Sequence, residues 1–278
     1  MSSRFPDLLR AAFALLLAGC GVACAAEQPE LRVCADPDNP PYSLRDQSGF
    51  ENRIAQLVAD DMKAKLSYFW LEQGRGFVRK TMGAGQCDLF IGVPAGFERV
   101  LTTRPYYRST YVAVFRNGTA PFEGFDAQAL RGRRIGVQLI GDDLATSPPG
   151  YALARAGLID NVRGYALYGD GPAARRMVDA VASGQIDLAL VWGPQAGYFA
   201  HRAGLALTPA SAPPGLPVPF EFSIAMGVRK GDKALRDRLD EILQRRRADV
   251  QAILASYFVP TVAMPQRVAA AQTGGAKP

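Results

Sequence analysis

The sequence predicts an α/β protein built as two lobes joined by two crossing segments. Three observations predict it. Strand-like and helix-like segments alternate in two successive series, before and after residue 115. A short pattern repeats between the series: Gly85-Gln86-Cys87-Asp88-Leu89 in the first and Gly184-Gln185-Ile186-Asp187-Leu188 in the second. Each copy follows a helical stretch and enters an apolar strand. The strands end at Gly92-Val93-Pro94 and Gly193-Pro194. Finally, 278 residues at 48% hydrophobic and 21% charged are enough for two cores. That composition excludes a disordered chain, a collagen and a multi-span membrane protein.

The first 26 residues read as an export signal. Arg4 and Arg10 bracket the start, Ala11 to Ala18 is apolar, and small residues follow at Ala23 to Ala26. The apolar run is about half of the ~20 residues needed to span a bilayer. Cleavage near Ala26 would leave a soluble periplasmic chain of 252 residues with net charge +5, against +6 for the whole. Leu17-Ala18-Gly19-Cys20 is a competing signal, because it resembles a lipobox that would anchor the chain through Cys20.

Leu31 to Cys34 reads as a buried strand, and Pro37, Pro40 and Pro41 force a loop after it. Phe50 to Lys63 has helical periodicity, Lys65 to Trp70 is strand-like, Phe77 to Ala84 helical and Asp88 to Val93 strand-like. Tyr111 to Phe115 leads out of the first lobe. In the second, a turn at 130–134 enters the strand at Ile135. Tyr151 to Ala156 and Ala173 to Ala182 are helical, and Ile186 to Val191 is a buried strand. Five prolines between Pro209 and Pro219 mark the return crossing, which leads to a strand at Phe222 to Val228. Leu235 to Tyr257 is the strongest helical stretch, and from Thr261 the chain reads as a loose tail. Expected boundaries are a signal at 1–26, lobe 1 at 27–113 and 220–260, lobe 2 at 114–219, and a tail at 261–278.

Cys34 and Cys87 remain after cleavage, each at a strand-like segment. In an oxidising compartment, adjacent parallel strands would let them pair; the alternative is two separate buried thiols. Neither has a second cysteine or histidine at metal-ligand spacing, so no metal site is expected. The basic run Arg245-Arg246-Arg247 reads as a solvated helix face. Without aromatic interleaving or a nucleic-acid motif, no nucleic-acid partner is expected. The single histidine, His201, has no serine elbow, H-E-x-x-H or phosphate loop to join. No catalytic residue and no cofactor are expected.

Ligands in open α/β folds gather beyond the carboxyl ends of strands, which makes the space between the lobes the expected site. Its candidates are Asp36 as an acceptor and Tyr42 as a cover over the first loop, with Arg53 and Arg75 at the rim. Tyr106 and Tyr107, between Arg104 and Arg108, line a cleft or partner surface, or secure the strand entering the hinge. Gln138 and Asp142 follow the second-lobe strand, and Trp192 ends the buried strand before Gly193. Loop capping and core packing are the competing roles for these residues.

The arrangement resembles the periplasmic solute-binding proteins of the amino-acid type over about Leu31 to Pro260. That resemblance implies the type II two-lobed fold with a two-strand hinge, here at 111–116 and 218–228. A narrower resemblance rests on Phe50-Glu51-Asn52-Arg53-Ile54-Ala55, Arg75-Gly76-Phe77-Val78-Arg79, Arg104-Pro105-Tyr106-Tyr107-Arg108-Ser109, Ile135 to Asp143 and Asp187 to Ala200. In this order they are similar to the J-type accessory binding proteins associated with PQQ-dependent methanol dehydrogenases. The narrower likeness implies a noncatalytic protein whose partner is such a dehydrogenase, its cytochrome, or both. The broader one implies a receptor passing a small polar solute to an ABC permease. It also implies that Arg99, seven residues after Gly92, holds a substrate carboxylate. Two departures weaken amino-acid binding: Pro94 stands where the family has a hydroxyl, and Gly193 where it has the acid that pairs with the ammonium.

Overall fold

A computed structural model describes residues 28–140, 145–167 and 169–264. The signal segment with Cys20, the candidate Asp142, and residues 265–278 of the expected tail lie outside the described residues.

The chain forms two α/β lobes. In the first, β1 (Glu30–Ala35) lies between two parallel neighbours, β4 (Lys65–Trp70) and β5 (Leu89–Pro94). Between them come the short strands β2 (Asp38–Asn39) and β3 (Ser43–Leu44), then α1 (Phe50–Met62) and α2 (Phe77–Lys80). The start of α1 is held by Asn52, whose Oδ1 accepts from the Gly49 and Leu44 amides at 3.2 and 3.0 Å. It stops at Lys63, which adopts the left-handed conformation at φ 53°. Its apolar stripe of Phe50, Ile54, Ala55, Val58 and Ala59 is buried on one face of the sheet. Full burial of each large side chain there contributes about 1.5–3 kcal/mol. A smaller core covers the other face, where Met82, Phe90 and Val100 surround a disulfide between Cys34 and Cys87 with Cα atoms 5.5 Å apart. The adjacent parallel strands therefore do bring the two cysteines together.

After β6 (Leu101–Thr102), the strand β7 (Tyr107–Phe115) crosses into the second lobe. That lobe contains α3 (Ala127–Leu130), β8 (Ile135–Ile140), β9 (Ala145–Thr146), α4 (Pro148–Arg155), β10 (Val162–Tyr165) and α5 (Ala173–Ala182). It closes with β11 (Leu188–Trp192), α6 (Gly193–Arg202) and β12 (Ala206–Pro209). Strands β10, β8 and β11 run parallel, and β11 pairs antiparallel with β7. Met177, Val178, Val181 and Phe199 fill one face; Leu153, Leu158, Phe122 and Phe220 fill the other. The chain returns along β13 (Glu221–Val228) and ends in α7 (Lys233–Arg245) and α8 (Arg247–Ser256), which pack on α1 through Leu239, Ile242, Val250 and Leu254.

The two crossing strands pair with each other, from Glu221↔Thr110 to Ile224↔Tyr107. Beyond that stretch β13 joins β5 and β7 joins β11, so one strand path, β10-β8-β11-β7-β13-β5-β1-β4, runs through both lobes.

The repeated pentapeptide is a structural repeat as well. Gly85 and Gly184 both take positive φ, 71° and 75°, just after a helix. Asp88 accepts two bonds from Arg32 of β1, both at 2.8 Å, and Asp187 accepts from Arg134 before β8 at 2.7 and 3.1 Å. Each arginine also donates to the carbonyl of its glycine. A second arginine just past the antiparallel neighbour completes each set: Arg229 after β13 on Asp88 and Arg116 after β7 on Asp187. The lobes thus share one plan, exchanged across the β7–β13 pair.

Three elements depart from the sequence reading. The stretch 235–257 breaks into α7 and α8 at Arg246, whose guanidinium turns to Asp249 at 2.6 Å. The arginine run is not simply a solvated face, because Arg245 and Arg246 both reach Asp61 of α1. Nor is the chain loose at Thr261. That residue bridges to Ser109, and the Val262 amide donates to the Arg108 carbonyl at 2.9 Å.

Candidate functional site: the cleft between the lobes

A cleft of about 430 Å³ opens between the lobes at the carboxyl ends of β5 and β11. The loop around β2 and β3 contributes Asn39 and Tyr42, the first turn of α1 contributes Glu51, and the loop after β4 contributes Gln73. The end of β5 supplies Gly92, Val93 and Pro94. Tyr107, Tyr111, Phe222 and Ile224 come from the crossing strands; Leu167, Trp192 and Gln195 come from the second lobe.

Aromatic rings dominate this surface. Tyr111 meets Trp192 edge-on with centroids 5.4 Å apart, and Trp192 meets Phe222 at 5.6 Å. Tyr42 packs on Phe50 at 5.2 Å, and Phe50 on Tyr107 at 6.4 Å. Tyr42 and Trp192 face each other across the cleft. The indole N–H lies toward the Tyr42 hydroxyl and partly offsets the burial that raises that phenol's pKa. Burial likewise holds Tyr107 well above the ordinary phenol value and lifts Tyr111 to about 12. All three stay neutral and act as hydrogen-bonding aromatic walls.

Glu51 is the sole acid lining the cleft among the described residues, and sequence reasoning did not single it out as a site residue. Burial pushes its carboxyl up from 4.5 to about 8. Its Oε1 lies so close to Gly92 that a β-carbon there would come within 2.1 Å. Gly92 thus leaves room for the Glu51 carboxyl where it sits, a role different from starting an arginine motif. No arginine, lysine or histidine lines the cleft among the described residues.

The candidates from sequence fall into groups. Tyr42, Tyr107 and Trp192 meet in the cleft. Asp36 is buried at the edge of it, where its carboxylate accepts from the Asp38 and Gln73 amides at 2.9 and 2.7 Å. It shapes the loop rather than facing a ligand. Arg99 is exposed and does not line the cleft. Arg53 lies on an outer surface beside Ile253 and Tyr257, and Arg75 is exposed outside the cleft lining. Tyr106 does not line the cleft; its hydroxyl donates to the Ile91 carbonyl at 3.0 Å, near enough to Glu51 to sense its charge. Arg104 and Arg108 beside it pair with Asp240 and Glu221. The Gln138 carbonyl accepts from Ser147, and the side chain is outside the cleft lining. Gly193 packs against Ser109 and the Thr110 carbonyl, which explains its lack of a side chain without reference to a ligand. Phe222, Gln195 and Leu167 were not anticipated; only distant strand pairing brings them to the site.

The model for bacterial extracellular solute-binding proteins, family 3, matches residues 31–260. The chain belongs to that family. It is similar to two curated MoxJ proteins: 32% identical to that of Paracoccus denitrificans, over 84% of this chain and 90% of the relative, and 33% identical to that of Methylorubrum extorquens, over 86% and 85%. Among solved structures, the periplasmic binding protein XoxJ from Methylobacterium extorquens AM1 is 38% identical with a TM-score of 0.71. The alignment covers 84% of this chain and all of that one. MxaJ from Methlophaga aminisulfidivorans MPT is 25% identical at a TM-score of 0.72, again over 84% and 100%. This solute-binding-family member is a MoxJ/XoxJ homologue of the periplasm, the compartment its disulfide suits. Among the described residues, no three His, Cys, Asp or Glu side chains gather where they could hold a metal ion.

Proposed function

We propose that the chain is a noncatalytic accessory protein of a PQQ-dependent methanol dehydrogenase system, acting by binding the dehydrogenase or supporting one of its conformations. The observation that carries the reading is the near full-length similarity to MoxJ and XoxJ. A cleft lined by aromatic rings, with no arginine among the described residues to clamp a carboxylate, supports it against an amino-acid receptor. The dehydrogenase is the first partner in this reading, with its cytochrome as a second candidate. The alternative, a receptor handing a small polar solute to an ABC permease, draws on family 3 membership. Affinity co-purification from periplasmic extract separates them. Recovery of the quinoprotein dehydrogenase supports the accessory role. Recovery of permease components, with tight calorimetric binding of an amino acid, supports the alternative.

A further inference from the structure

The charge balance of the cleft points to its occupant. Among the described residues, Glu51 has no hydrogen bond or ion pair and no basic side chain lines the surface around it. Tyr42 and Tyr107 lie close enough to sense its charge, and the rings of Tyr111 and Trp192 line the same cleft. Ring faces carry negative potential and attract cations. A positive group entering such walls would draw the carboxyl into its ionised form and pair with it, while a carboxylate ligand would favour only the protonated form and gain no ion pair. Two features oppose this: Glu51 sits in the first turn of α1, whose amides partly offset its charge, and the start of α6 favours anions. Pro194 removes one of the α6 amides.

We propose that the cleft binds an organic cation, its positive group on Glu51 and its body against the aromatic walls that Tyr42, Tyr111 and Trp192 contribute. Two sources share that chemistry: a free organic ammonium, and a lysine side chain presented by a partner protein. The second deepens the accessory reading and rests on it. The first does not, so a test with small probes stands or falls without any dehydrogenase.

The test is calorimetry on the whole chain with choline, its neutral isostere 3,3-dimethylbutanol, Nα-acetyl-lysine N-methylamide, and glutamate. Choline or the lysine amide should bind at least tenfold tighter than the neutral isostere, with no uptake of glutamate. Glu51→Gln should weaken that binding at least tenfold, and Tyr111→Leu several-fold, each with an unchanged circular dichroism spectrum. A preference for the lysine amide over choline assigns the site to a protein side chain, and the reverse assigns it to a free ammonium; both uphold the proposal. Equal binding of choline and its isostere, undiminished binding by a folded Glu51→Gln, or preferred binding of glutamate would each overturn it. If Glu51→Gln does not fold, the isostere comparison on the unaltered chain decides.

Discussion

At the scale of single residues, Glu51 and Asp187 show how surroundings set a carboxyl in opposite directions. Glu51 is part-buried with no partner among the described residues, and desolvation raises its pKa to about 8. A raised acid pKa means that the folded state holds its proton where the unfolded chain has lost it. Stability from this group is full below about pH 4.5 and falls as pH rises to about 8. The neighbouring phenols Tyr42, Tyr68, Tyr106 and Tyr107 are all raised and do not titrate in that window. Thermal melts of Glu51→Gln should therefore lose most of the decline between pH 5 and 8 that the unaltered chain shows. Asp187 is the reverse. The Arg134 guanidinium, its amide and Arg116 hold the carboxyl far below its ordinary value. Its contribution is present at neutral pH and lost on acidification below about pH 4. Asp187→Asn should cost about 2 kcal/mol in urea unfolding at pH 7, and less at pH 3. Glu51 was hard to see in the sequence because an acid in the first turn of an amphipathic helix is ordinary dipole complementation. What distinguishes it is Gly92, 41 positions away, and only the fold joins them.

At the scale of elements, local periodicity located most of the scaffold. Lys65–Trp70 and Ala173–Ala182 have the limits expected from their patterns, because the strand lies between two cores and one face of the helix meets another. Helix α6 was missed because Gly193, Pro194 and Gly197 look like loop residues. Their reason is packing. A β-carbon on Gly197 would lie 1.9 Å from the Phe258 carbonyl oxygen, so the glycine lets the segment after α8 lie against the second lobe. That segment also binds the crossing strand, with Ser109 Oγ donating to the Pro260 carbonyl at 2.6 Å. Residues 258–262 thereby brace the helix of one lobe to the strand joining both. Gly197→Val should destabilise by about 1–3 kcal/mol and speed hydrogen exchange at the Val262 amide, which donates to Arg108. Unchanged exchange there would show that the brace is not held by this contact.

For the whole molecule, the repeated Gly-Gln-x-Asp-Leu was the most informative sequence signal, since each copy nucleates the same arginine-fork arrangement in its lobe. The site was less legible. Its lining comes from both lobes and both crossing strands, and the resemblance to amino-acid receptors placed Arg99 where the structure places none. Cys34–Cys87 closes a 53-residue separation in the first lobe. Replacing both cysteines by serine should cost about 4 kcal/mol by chain entropy, read as a lower denaturation midpoint. The central claim is that this two-lobed protein serves a dehydrogenase rather than a permease. The most direct measurement mixes the purified chain with a purified PQQ-dependent methanol dehydrogenase, following co-elution on size exclusion and turnover of the enzyme. The account predicts a complex and a higher turnover or longer active lifetime. Separate elution with unchanged turnover and lifetime, alongside tight binding of an amino acid by the chain alone, would contradict it.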